Sequence, residues 1–128
     1  ILRDLDILSY SLNARVGISI STDNEKVRRI VEPRAPSIAD RIATLKQLRQ
    51  SGIRTWAAIA PVLPLNPIRL HRLLSPHVDS VMIDPLNYRD QVSGLFRAHG
   101  WKYALSPEYG AKIRKKLLRL FKNKTGNK

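Results

Sequence analysis

The sequence switches repeatedly between short segments with a strand-like apolar pattern and longer segments with a helix-like one, and this alternation constrains the fold most. Residues 15–21 alternate strictly between a branched apolar face and a face of small residues. The small face carries Gly17, Ser19 and Ser21. Residues 53–60 form a nearly continuous apolar run, typical of a strand covered on both faces in a parallel sheet. Residues 80–84 form a third short strand that Pro85 ends.

Helix start signals precede the segments with helical periodicity. They are a capping box of Thr22 and Glu25, the pair Ser37 and Asp40, and the dipeptides Asn66-Pro67 and Ser106-Pro107. Gly52 is placed to end the second of these helices, because glycine adopts left-handed backbone angles at no steric cost. Near the start of the sequence, Ile1-Leu2 has the pattern of the end of a strand. Asp4 is suited to cap a helix over residues 4–12.

The predicted order is β-α-β-α-α-β-α-β-α-α, so the fold class is α/β. Strands separated by helices predict parallel pairing with right-handed crossovers. No glycine-rich phosphate-binding motif stands between a strand and a helix, which disfavours an ordinary nucleotide-binding fold. Three βα units and a stub fit half of a parallel (β/α) barrel with C-terminal helices added. A small open α/β sandwich also fits this order.

Cysteine is absent, which excludes disulfides, thiolate zinc sites and iron–sulfur ligation by these 128 residues alone. The three histidines, His71, His77 and His99, show no metal-ligand spacing. The net charge of +13 is concentrated after residue 110, where eight basic residues occur without an acidic one. This basic segment either binds nucleic acid or anionic lipid, or is a solvated helix end that favours solubility.

We expect a main domain over residues 1–100, a basic amphipathic helix region over 101–122 and a disordered tail over 123–128. No apolar run approaches the roughly 20 residues of a membrane span, and no charged-then-apolar leader opens the sequence. A cytoplasmic location without a membrane partner is therefore expected. The first residue is Ile1 rather than Met, which indicates that upstream residues are missing.

Candidate site residues follow the strands, because ligand sites of parallel α/β folds lie at the carboxyl ends of the strands. The hydroxyls of Ser19 and Ser21 are suited to ribose or carboxylate oxygens, or these residues simply pack against a neighbouring strand. Glu32 lies in a proline-stiffened loop, within reach of Arg41, and the alternative is a surface ion pair worth about 0–1 kcal/mol. Asp84 is either a hydrogen-bond acceptor for a ligand or a strand-end cap.

The same stretches resemble a known family, the radical S-adenosylmethionine (SAM) relatives of spore photoproduct lyase. Residues 15–22 match V-x-I/V-S-I/V-S/T-T, and residues 32–37 match E-P-x-A-P-S, with Arg41 following in the next helix. Residues 52–64 resemble G-I followed by A-P-I/V-I/V-P, with Leu63 at the second I/V position, and residues 2–8 resemble L-x-R-D-L-D-x-L. The resemblance covers roughly residues 1–67 in consistent order and spacing.

This resemblance implies a partial (β/α)6 barrel, of which residues 1–100 would be the C-terminal half. By it, Ser19 and Ser21 face the SAM ribose and methionine moiety, and Glu32 and Arg41 support that side. Ala60 and Pro61 contact the adenine, and Asp84 joins the cofactor-binding set. The 4Fe-4S cluster motif C-x3-C-x2-C would lie upstream of Ile1, in the missing N-terminal half of the protein. One departure is Leu65, where relatives often have a glycine.

Overall fold

The computed structural model describes residues 15–84, 89–122 and 124, so the stub and helix predicted within residues 1–12 lie outside it. Three strands are present: β1 (Arg15–Ser19), β2 (Arg54–Ile59) and β3 (Ser80–Ile83). Five α-helices follow in chain order: α1 (Glu25–Val31), α2 (Ile38–Gln50), α3 (Pro67–Leu74), α4 (Arg89–Ala98) and α5 (Pro107–Leu120). Short 3-10 turns occupy Ser75–His77 and Lys102–Leu105.

The strands form one parallel sheet in the order β1-β2-β3, which confirms the predicted parallel pairing. The described chain is therefore a mixed α/β structure with a small three-stranded sheet and several helices. Its pairing register aligns Gly17 with Trp56 and Ser80, and aligns Ser19 with Ala58 and Met82. We call the face that carries these six residues, together with the exposed pair Arg15 and Arg54 one layer nearer the amino ends of β1 and β2, the open face. The opposite, covered face carries Val16, Ile18, Thr55, Ala57, Ile59, Val81 and Ile83.

Four of the five helices begin at a defined cap residue. Ser37, Asn66 and Ser106 accept backbone N–H groups of their helices, as predicted. The capping box predicted for α1 is wrong, since Asn24 is the cap and accepts the amides of Lys26 and Val27. The reason is tertiary: the Thr22 hydroxyl donates to the carbonyl of Pro64, which draws Thr22 away from the helix start.

The core lies between the covered face and the helices. Leu45 of α2, Leu70 and Leu74 of α3, and Leu117 of α5 are fully buried in it. Helix α5 ends at the outer edge of β3, where the Val81 amide donates to the Lys124 carbonyl at 2.8 Å. The Lys124 ammonium also donates to the carbonyls of Ser75 and Val78. Of the tail expected over residues 123–128, only Lys124 is described, and it is hydrogen-bonded to β3; residues 123 and 125–128 lie outside the described part.

Candidate ligand site at the carboxyl ends of the strands

The chain after β1 is bound to the loop after β2, which fixes the carboxyl edge of the sheet. The Ser21 carbonyl accepts the Leu63 amide at 3.2 Å. The Thr22 hydroxyl donates to the Pro64 carbonyl at 2.6 Å. One residue further, a carboxylate oxygen of Asp23 accepts the Asn66 amide at 2.6 Å. Three consecutive residues therefore hold the two loops together.

Ser19 and Ser21, the two predicted hydroxyl ligands, have different surroundings. Ser19 is exposed on the open face. Ser21 is 2% exposed, and its Oγ is the only buried side-chain oxygen or nitrogen within the described residues that has no hydrogen-bond partner. A buried hydroxyl without a partner costs about 1 to 3 kcal/mol. A ligand oxygen at this position would remove that cost.

Arg41 joins the end of β1 to the proline-stiffened loop. Its Nη1 donates to the Ser19 carbonyl at 2.7 Å, and its Nε donates to the Pro36 carbonyl at 3.0 Å. Its Nη2 donates to a Glu32 carboxylate oxygen at 3.0 Å. The predicted reach of Arg41 to Glu32 is therefore confirmed. The Arg41 side chain is only 8% exposed, so the pair is not a surface ion pair.

A second guanidinium, that of Arg28, also bonds to the proline-stiffened loop. The sequence did not predict this contact. Arg28 donates to a carboxylate oxygen of Glu25 and to the carbonyls of Glu32 and Ala35. The other oxygen of Glu25 accepts the Ile38 amide at 3.1 Å. The hydrogen bond from Arg28, with the one from Ile38, lowers the pKa of Glu25. The i,i+3 spacing of Glu25 and Arg28 was the available signal.

The remaining predicted residues follow the other two strands at the same edge. Ala60 and Pro61 are half-buried directly after β2, and the peptide bond between them is cis. Asp84 directly follows β3, is exposed, and donates its amide to the Ile59 carbonyl at 3.1 Å. The structure thus bonds Ser19, Glu32 and Arg41 together and places the others at neighbouring strand ends.

Leu65 does not need the freedom of the glycine often found there, because no non-glycine residue described has a positive φ. Its amide donates to the hydroxyl oxygen of Tyr109 at 3.2 Å, which ties the loop after β2 to α5. Burial raises the pKa of the Tyr109 phenol. Sequence reasoning did not identify Tyr109, since its role depends on how α5 docks.

Neither a metal-binding cluster nor a membrane-spanning helix is present within residues 15–84, 89–122 and 124. No group of three or more histidine and carboxylate side chains there could hold a metal ion. Within the same residues, no helix has the length and apolar character needed to cross a membrane.

Comparison with known proteins found two uncharacterized relatives. The chain is 37% identical over 68 residues to an uncharacterized protein of Acidianus two-tailed virus, covering 52% of this chain and 23% of that protein. It is 34% identical over 64 residues to an uncharacterized protein of Methanocaldococcus jannaschii, covering 50% of this chain and 25% of that protein. The matched segments thus span about a quarter of the length of these relatives. No family model matches the chain, and no solved structure matches it significantly.

Proposed function

We propose that this chain is the C-terminal part of a cytoplasmic radical SAM enzyme resembling spore photoproduct lyase, and that it binds SAM at the carboxyl edge of the open face. The observation that carries the proposal is the Ser21 hydroxyl, which is buried without a partner next to the exposed Ser19. A polar group in this state is suited to a ligand oxygen. The open sheet face supports the accompanying proposal that the three strands belong to a partial (β/α)6 barrel.

The residues present are suited to SAM. In the proposal, Ser19 and Ser21 bind its ribose and methionine moiety, while Ala60 and Pro61 offer half-buried apolar surface and backbone groups to its adenine. Asp84 supplies a carboxylate at the third strand end. Held by these residues beside a 4Fe-4S cluster, SAM would supply radical chemistry, the abstraction of hydrogen from a substrate.

Glu32 and Arg41 act in this proposal by positioning rather than by direct contact. Arg41 donates to Pro36, Ser19 and Glu32, and the bond to the Ser19 carbonyl fixes the strand that presents both hydroxyls. Glu32 holds Arg41 in place through one carboxylate oxygen. A ligand site benefits when its binding residues are held by buried supporting groups.

The residues present do not fit an iron–sulfur cluster, because the chain has no cysteine. In this proposal the cluster ligands would come from an N-terminal half of the same protein, which would be the partner of this chain. By itself the chain would bind no cluster and would be inactive. The matched segments cover only about a quarter of the relatives, which leaves room for such a half in proteins of their length.

Two experiments test the proposal. The full gene should encode a C-x3-C-x2-C motif roughly one hundred residues before Ile1, as the size of a barrel requires; a gene without it contradicts the enzyme function. For the whole protein, equilibrium dialysis with labelled SAM should show saturable binding that Ser21→Ala weakens. Ser51→Ala, which changes an exposed serine at the end of α2, is the matched control.

A second candidate function, nucleic-acid binding by a non-catalytic module, is favoured by the exposed side of α5. Ile113, Leu117 and Phe121 lie in the core. The basic residues that remain exposed are Lys112, Arg114, Lys115, Lys116, Arg119 and Lys122. This side also carries the exposed Glu108 in the first turn of α5, but its charge is predominantly positive. Such a face is suited to phosphate backbones, with weak, sequence-independent affinity that falls steeply with salt.

Aromatic residues give this second candidate little support. Trp101 packs against Phe96 and stacks on His99, so it is not interleaved with the basic residues. Truncation at Ser106 would remove core residues with the charges, so Lys112→Glu with Lys115→Glu and Lys116→Glu is the better test. Filter binding to DNA at low salt should lose signal in this triple variant. Unchanged binding removes α5 from the interaction.

A further inference from the structure

The open face is divided into layers of different size along the strands. The pairing register places Gly17, Trp56 and Ser80 in one layer, and Ser19, Ala58 and Met82 in the next layer toward the carboxyl edge. Ala60 and Asp84 directly follow β2 and β3, and the buried Ser21 lies two residues beyond Ser19, past the end of β1. Successive layers lie two residues apart, or about 7 Å along a strand. The Trp56 ring therefore lies one layer above Arg15 and Arg54, and the layer above the ring holds a serine, an alanine and a methionine.

Trp56 occupies its layer by lying across β1. A Cβ built on Gly17 would come within 2.2 Å of Cε2 of the Trp56 ring, closer than any side chain tolerates. Position 17 must therefore be glycine for the indole to lie there. Trp56 is half-buried as a result, although it belongs to the face without helices. The layer of Gly17 and Trp56 is thus filled by one ring, which the glycine of the neighbouring strand accommodates.

The layer above Trp56 is open. Ser19 is exposed, Ala58 contributes only a methyl group, and Met82 is 45% exposed with its flexible thioether side chain. The Ala58 methyl lies at the centre of the sheet, between the other two residues. A ligand at the carboxyl edge meets apolar surface below it, at the indole and the methyl, and hydroxyl and carboxylate groups around it.

From these layers we infer that Trp56 is the floor of the ligand site and that Ala58 sets its depth. This inference rests on the proposed function, in which SAM binds above that floor. Ala58 is then a specificity-determining residue, because a larger side chain there fills the layer that the Ser19 hydroxyl borders. Gly17 is a positioning residue that acts through Trp56.

The binding test uses the whole protein and compares two substitutions to leucine in different layers of the open face. Ala58→Leu fills the open layer and should weaken SAM binding at least tenfold in equilibrium dialysis. Ser80→Leu adds a similar side chain beside Trp56, below the site, and should change the affinity less than about twofold. Melting followed by circular dichroism verifies that both variants fold. If the wild type binds SAM and the two substitutions weaken that binding equally, the inference is wrong and the proposed function still stands.

A second measurement tests the placement of Trp56 without any ligand. It remains valid if the wild type does not bind SAM and the proposed function is wrong. The chain has two tryptophans, so Trp101→Phe leaves Trp56 as the only indole. In that background, Gly17→Ala should red-shift the Trp56 emission and increase its quenching by acrylamide, because the new Cβ displaces the ring. Gly94→Ala, where the Cβ meets nothing within 4 Å, is the control. Unchanged emission in Gly17→Ala overturns the inference.

Discussion

The two faces of the sheet are built from alternate residues of the same three strands, yet they have opposite character. On the covered face, Ala57 and Ile59 have no exposed surface and Val81 is 6% exposed, because helices pack on it. On the open face, Ser19 is exposed and Met82 is 45% exposed. The comparison separates the residues that stabilise the fold from those available to a ligand. The following predictions test this separation, from the largest effect to the smallest.

The covered face should carry most of the stability. Ile59→Ala removes a fully buried side chain and should lower the free energy of unfolding by about 2 to 5 kcal/mol, through lost burial and the cavity left behind. Met82→Ala should cost less than about 1 kcal/mol, since this side chain is largely in water already. Urea unfolding measures both. Similar losses would mean that the open face is covered in solution.

At the carboxyl edge, Arg41 should be the most costly charged residue to remove. Arg41→Ala leaves a carboxylate and two carbonyls without their donor, so we expect a loss of about 3 kcal/mol in unfolding free energy. The control is Arg49→Ala, which breaks the exposed ion pair with Asp79 and should cost about 0 to 1 kcal/mol. A loss for Arg41→Ala no larger than the control would show that its bonds do not form in solution.

Two neighbouring hydroxyls should respond oppositely. Thr22→Val removes a buried donor to the Pro64 carbonyl and should cost about 1 to 3 kcal/mol. Ser21→Ala removes a buried hydroxyl that has no partner and should be neutral or stabilising. Thermal melting distinguishes the two. A destabilised Ser21→Ala variant would mean that the hydroxyl is bonded within the protein, which weakens its assignment as a ligand group.

The smallest expected effect is a loss of folding stability at acid pH. The bond from Arg28 lowers the pKa of Glu25 below its ordinary 4.5. Burial raises the pKa of Asp79, but bonds from the Thr55 amide and from Arg49 outweigh it and leave this pKa below 3.8. A lowered folded-state pKa contributes stability that is present above the unfolded value and lost as the pH falls through the folded one.

Titration of Glu25 and Asp79 should therefore leave the melting temperature unchanged above about pH 5 and lower it below about pH 4. Asp79→Asn should lower the melting temperature slightly at pH 7 and make its acid decline shallower. Because both carboxylates are near the surface, added salt should reduce the effect. An acid decline of the same steepness in Asp79→Asn would exclude Asp79 as its source.

Much of the fold could be predicted because its signals are local. Ser37, Asn66 and Ser106 cap their helices as their positions predict, since a cap depends on residues within one turn. Gly52 has the left-handed φ of 81° expected at a helix end. Thr22 was assigned wrongly because its hydroxyl bonds to Pro64, 42 residues away, and no local pattern reports such a partner.

The candidate site divides in the same way. The alternation of residues 15–21 predicted one face of small residues, and Gly17 and Ser19 are exposed on the open face. The buried, unpaired state of the Ser21 hydroxyl, the support from Arg28 and the placement of Trp56 over Gly17 were not predicted. Each depends on segments that are distant in sequence and meet only in the folded chain.

By itself the sequence determined the α/β class, the parallel pairing and the polar residues that follow the strands. Apolar period, caps and glycine positions act over a few residues, so they can be read without knowing the neighbours in space. Only the tertiary structure decided that Arg41 is buried with three hydrogen bonds, that Lys124 bonds to β3, and that Trp56 lies across Gly17 on the open face. Those features depend on register and docking, which are set by the packing of the whole core.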